Sequence, residues 1–84
     1  MNNLEKYNDA FIKALGIDEN MLDSSLTFKD TVQWDSVSHL SLVSILEDTF
    51  NIMFDSYDIL HYESYENGKK ILRKMGINIE EIEI

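Results

Sequence analysis

The sequence predicts an all-α fold: a small antiparallel four-helix bundle, three longer helices plus one short helix, with a long first loop. Three observations predict it. Apolar residues recur at three-and-four spacing along most of the chain, and no alternating strand pattern runs through its body. Helix-capping residues open the periodic segments, and glycines close two of them. The chain has 84 residues, 44% of them hydrophobic, which is one domain. A domain this small buries only about 60–65% of the surface its unfolded chain exposes, too little for a two-domain enzyme with a deep cleft.

The first helix is expected over residues 3–15, where Leu4, Tyr7, Phe11, Ala14 and Leu15 share one face. Asn2 with Glu5 three residues on reads as a capping box, and Gly16 as a stop. Residues 17–34 are irregular, and a loop of that length is commonly functional. Asp18 to Leu22 can form a helical turn, with Leu22, Leu26 and Phe28 pinning the loop to the core. The second helix runs from about Ser36 to Phe50 behind Asp35 as cap. Leu40, Leu42, Val43, Leu46 and Phe50 fall on its apolar arc with His39 among them, whereas Val37 points away. A short third helix is expected over Ser56–Leu60 behind Asp55. The fourth runs from about Tyr65 to Met75, with Ser64 as cap and Gly76 as stop. Its inner face is Tyr65, Gly68, Ile71, Leu72 and Met75, and Lys69, Lys70, Arg73 and Lys74 face water near the negative helix end. The bundle spans about residues 3–76. The tail 77–84 alternates loosely, which fits either a frayed end or a docked strand-like segment.

Sixteen Asp and Glu face seven Lys and Arg, for a net charge of −9. No Lys or Arg lies between Lys29 and Lys69, while eight acids do, so that stretch carries −8 of the total. Such charge repels phosphate backbones, which disfavours nucleic acid as a partner. Its ordinary meaning is a solvated face that keeps the chain soluble; its sharper meaning is a surface that steers basic partners. No apolar run approaches the roughly 20 residues of a membrane span. Residues 1–15 carry Glu5 and Asp9 and lack the apolar core of a secretion signal, so a cytoplasmic location is expected. The absence of Cys excludes a disulfide framework, a thiolate zinc site and a cysteine nucleophile. With His39 and His61 the only histidines, no metal site is expected.

The most informative stretch is Gln33-Trp34-Asp35-Ser36-Val37-Ser38-His39-Leu40. It resembles the attachment motif of the acyl carrier protein family, acyl and peptidyl carriers in which Asp-Ser-Leu opens the second helix. Leu42-Val43-Ser44-Ile45-Leu46-Glu47-Asp48-Thr49-Phe50-Asn51-Ile52 is similar to the rest of that helix, and Asp55–Ile59 and Ser64–Leu72 match the later helices in spacing. The resemblance implies a carrier that catalyses nothing itself. It implies that Ser36 takes 4′-phosphopantetheine from coenzyme A through a separate magnesium-dependent phosphopantetheinyl transferase, with Asp35 beside it. Acyl groups then ride on the arm as thioesters. Val37 stands where the family has leucine, and Ser38 and Ser41 stand where many fatty-acid carriers have acids, which weakens the case for fatty acid biosynthesis. Trp34 is similar to the residue found in free-standing carriers of secondary metabolite pathways; its simplest role is an anchor at the loop–helix junction.

The expected docking surface for acyl- or aminoacyl-loading and condensing enzymes is Asp35, Val37, Ser41, Glu47, Asp48 and Asp55, met by basic patches. The chain is expected to be a monomer. A possible cargo groove comprises Phe28, His39, Val43, Leu46, Ile59 and Leu72, whose ordinary role is core packing. His39 has two readings, a hydrogen-bonded rim histidine or a contact for polar cargo. The alternatives are a peptidyl or aminoacyl carrier of a specialised pathway and an unmodified acidic helical adaptor. On their own, Asp35 and Ser36 read as a plain helix cap; the resemblance over the whole chain is what makes Ser36 an attachment site.

Overall fold

A computed structural model describes residues 2–79. The chain forms α1 (Asn3–Leu15), α2 (Ser36–Phe50), α3 (Ser56–Leu60) and α4 (Tyr65–Lys74), with a 3-10 turn at Glu19–Met21. No strand occurs among the described residues, only an isolated bridge between Thr27 and Ser64. The small all-helical architecture is the one that the periodicity predicts.

Local chemistry sets the helix ends. Asn2 and Glu5 close a reciprocal capping box at 2.8 and 3.1 Å, and Gly16 leaves α1 in the left-handed region at φ 65°. The side chains of Asp35, Asp55 and Ser64 each accept the backbone N–H three residues on, opening α2, α3 and α4. α4 runs against α1. Tyr65 at its start packs on Tyr7 and Phe11 and donates its hydroxyl to Asn8, whereas Asn78 beyond its end accepts from the Asn3 side chain at 2.9 Å.

The core is aromatic. Phe11 meets Tyr7, Trp34 and Tyr65 at centroid distances of 5.1, 5.2 and 5.4 Å, and Leu42, Leu46 and Leu72 fill the space between helices. Two of its largest members, Trp34 and Tyr62, come from connecting segments rather than helices. The long loop is tied down by backbone bonds: the Phe28 N–H donates to the Glu63 carbonyl, and the Tyr65 N–H to the Leu26 carbonyl. Leu26 is buried as expected.

Four expectations need correction. Leu40 lies 62% exposed rather than in the core arc, and Phe28 is 40% exposed rather than pinned inside, because both edge an open groove. Lys69 is 5% exposed rather than facing water: its ammonium sits 4.4 Å from the centroid of the Tyr65 ring and 3.2 Å from Glu66. The α4 helix ends at Lys74, with Met75 as its C-cap. In the tail, Ile79 is buried and Ile77 packs against the core, so its first part is docked; residues 80–84 fall outside the described residues.

Beneath α4 the Tyr62 hydroxyl donates to the Tyr7 hydroxyl, which donates to the Tyr65 carbonyl, both at 2.8 Å. Burial raises both phenols well above their ordinary value, with the neighbouring tyrosines adding to it at Tyr7. A raised folded-state value means the stabilisation is complete below the unfolded-chain value near 10 and declines as pH rises past it. Alkaline titration is therefore expected to produce a tyrosinate absorbance step that coincides with loss of helical circular dichroism. All four tyrosines ionising with the helices intact would contradict this.

Candidate functional site

Ser36 is the first residue of α2 and is exposed. Its position follows from the cap before it. Asp35 is in extended backbone, and its carboxylate accepts the Ser38 N–H at 2.9 Å while the Ser38 hydroxyl accepts the Asp35 N–H at 2.9 Å. The Ser38 hydroxyl also donates to the Gln33 carbonyl at 2.8 Å, tying the cap to the preceding loop. These bonds from Ser38 hold the Asp35 carboxyl below the usual carboxylate range. Ser38 thus completes a capping box at the start of α2.

Beside Ser36 lies an open groove of about 310 Å³ between α2 and α3, lined by Phe28, Ser36, His39, Leu40, Ile59, Leu60 and Glu63. Of the expected groove residues, Phe28, His39 and Ile59 line it. Val43, Leu46 and Leu72 do not; they are buried in the core. Leu40, Leu60 and Glu63 belong to the groove and escaped the sequence reading. The signal for Leu40 and Leu60 is weak, since periodicity shows that a residue is apolar on a face but not whether a neighbour covers it. Glu63 has a left-handed backbone, φ 63°, held by the Phe28 N–H on its carbonyl.

His39 is the best-defined polar group here. The Trp34 indole N–H lies 3.0 Å from its Nδ1, and its Nε2 lies 2.8 Å from the Ile59 carbonyl. An indole nitrogen only donates and a carbonyl only accepts, so in this arrangement Nδ1 accepts from Trp34 and Nε2 donates to Ile59. Both ring nitrogens are thereby engaged within the chain, as the rim-histidine reading has it.

The expected docking residues divide by role. Val37, 79% exposed, follows one stripe of α2 with Ser41 and Asp48, both exposed. Glu47 instead turns its carboxylate to the Phe54 N–H at 3.0 Å and braces the α2–α3 connection. Asp55 caps α3 through the Asp58 N–H at 2.8 Å. Around this surface Val32, Met53, Tyr57 and Leu60 are also strongly exposed. No helix among the described residues is long and apolar enough to cross a membrane, and none of their His, Asp and Glu side chains cluster in a metal-holding group of three. No family model, curated protein or solved structure matches the chain.

Proposed function

We propose that the chain is an acyl carrier with the acyl-carrier type of bundle, modified at Ser36 by 4′-phosphopantetheine. The observation that supports this best is an exposed serine on the first turn of α2, opening directly onto an apolar groove. The residues present suit the group. The Ser36 hydroxyl faces solvent, within reach of another enzyme's active site, and the positive end of a helix favours a phosphodiester there. The Asp35 carboxylate already takes the Ser38 N–H, so the phosphodiester would stand beside the cap rather than replace it.

The arm supplies the thiol that holds cargo, a group that this chain without Cys does not possess. The protein's own contribution is presentation. In loading, the Ser36 oxygen bonds to the phosphorus of the pantetheine phosphate, the phosphoanhydride of coenzyme A breaks, and the nucleotide portion leaves. A separate phosphopantetheinyl transferase takes the hydroxyl proton. Phe28, Leu40, Ile59 and Leu60 offer apolar contact to cargo beside the arm, and the stripe of Val37, Ser41 and Asp48 is the surface for partner enzymes with basic patches.

Incubation of the protein with coenzyme A, magnesium and a promiscuous phosphopantetheinyl transferase is expected to add the mass of one phosphopantetheine. Ser36→Ala should abolish the gain and leave helicity intact, because only an exposed hydroxyl is removed. No gain in the parent, or a gain that survives the substitution, would overturn the proposal in favour of an acidic helical adaptor.

A further inference from the structure

The groove beside Ser36 is backed by rings that are fastened to one another. His39 lines it, half-buried, and the rings of Phe28, Tyr62 and Trp34 lie 5.8, 5.6 and 6.0 Å from the imidazole. Trp34 and Tyr62 are buried and pack in turn on Phe11 of α1 at 5.2 and 6.2 Å, so rings run without a break from the groove to the opposite helix. Polar bonds pin them as well: the Trp34 N–H on His39 Nδ1, His39 Nε2 on the Ile59 carbonyl, and the Tyr62 hydroxyl on that of Tyr7. An aliphatic core can admit a guest by shifting rotamers. This wall parts only by leaving buried donors and acceptors unpaired, which opposes whatever the guest gains by entering.

We propose that the groove is blind and selects its cargo by size and charge: it takes a compact acyl group of at most about ten carbons, without an acidic end, and keeps it outside the core. The size follows from the space. A methylene group is close in size to a water molecule, whose share of liquid volume is about 30 Å³, so a groove of about 310 Å³ is full at about ten carbons. Phe28, Leu40 and Leu60, all exposed, supply apolar sides. Each carbon that lies between them leaves water; each carbon beyond the filled groove stays in it. That the occupant is cargo on the Ser36 arm rests on the carrier reading, whereas the capacity of the groove does not.

The charge selection follows from the lining. Among the described residues no Lys or Arg lines the groove, and Glu63 does. Asp35 stands next to Ser36 as the cap of α2, and the stretch between Lys29 and Lys69 holds eight acids and no base. Both nitrogens of His39 are already engaged within the chain. A carboxylate on the cargo therefore meets no cation here, is repelled by Glu63, and stays out in the water. The thioester of a simple aliphatic or aromatic acid fits. That of a dicarboxylic acid, with a free carboxylate at its far end, does not.

The test uses the full chain carrying Ser36→Cys, which places its only thiol on the groove. Alkyl methanethiosulfonates couple to that thiol as disulfides, with no transferase or pantetheine involved. Labelled proteins are compared at a concentration where each elutes as a monomer, with the methyl label as reference. The denaturation midpoint is expected to rise from ethyl through butyl to octyl, and to rise no further with dodecyl or hexadecyl. The emission maximum of Trp34, the single tryptophan, should stay constant along the series, because no chain passes behind His39. A carboxypropyl label should raise the midpoint less than butyl does. Leu40→Ser, at an exposed position, should shrink the octyl gain while leaving the unlabelled midpoint in place. A midpoint that keeps climbing to hexadecyl, or a Trp34 shift with the longer chains, would overturn the blind groove. A series flat from the start would remove the groove as a binding site, and equal gains from carboxypropyl and butyl would overturn the charge selection. The mass-gain experiment on Ser36 is independent: its failure removes the arm and leaves the measured capacity, whereas an unlimited series leaves the arm and removes the size limit.

Discussion

Gly68→Ala is expected to destabilise the protein by about 2 kcal/mol or more, although alanine is the better helix former by about 1 kcal/mol. Gly68 lies inside α4 over the Tyr7–Tyr62 hydroxyl pair, where an added methyl group would overlap Tyr62 Cζ and both phenolic oxygens. Neither ring can step aside. Tyr7 and Tyr62 are fully buried, and Tyr7 is also held by the Tyr65 carbonyl. Relief requires α4 to lift from α1 or the phenols to break their bonds, and overpacking of that kind costs typically about 1–3 kcal/mol before any lost hydrogen bond is added. Chemical denaturation followed by helical circular dichroism reads the effect as a lower midpoint. A midpoint equal to or above the parent's would show that the close approach of α4 is not as tight as described.

Trp34→Ala carries the largest expected loss, about 3–5 kcal/mol. At roughly 0.05–0.15 kcal/mol per residue, a domain of this size has a total of about 4–12 kcal/mol, so the variant loses a large share of its stability and its denaturation midpoint should fall steeply. The size follows from what the indole touches. It packs edge-on against Phe11 at 5.2 Å and near Phe28, His39 and Tyr62 at about 6 Å, and its N–H serves His39. Trp34→Phe separates these contributions. It keeps most of the apolar contact and removes the N–H, so its cost is expected to be about 1–2 kcal/mol. Equal loss in both variants would assign the residue's importance to its hydrogen bond; near-zero loss in both would remove it from the core.

How legible the molecule is differs by feature. The helices were readable because their signals are local. A capping oxygen acts on an N–H three residues away, and an apolar stripe repeats within a turn or two, so α1 begins and ends where Asn2 and Gly16 place it, and α2 and α3 begin behind Asp35 and Asp55. The exposure of Ser36 and Val37 was readable for the same reason, since the first turn of a helix behind a capping aspartate is seldom covered. Leu40 and Lys69 were not. An apolar residue on a generally apolar helix has no local sign of whether another element lies over it, and a long lysine stem can cover core while its head finds a carboxylate and a ring.

By itself, then, the sequence determined an all-helical fold over the described residues, the starts of its helices, the concentration of negative charge between Asp30 and Glu66, and the serine that opens α2. Only the tertiary structure decided that Trp34 is a buried hub, that His39 faces inward with both nitrogens engaged, and that an apolar groove begins at Ser36. The physical reason is range. Capping and periodicity act over three or four residues, whereas the bond from His39 to Ile59 joins positions 20 apart and the Tyr62–Tyr7 bond joins positions 55 apart. Which residue such a side chain meets is set by how the helices and their connections pack.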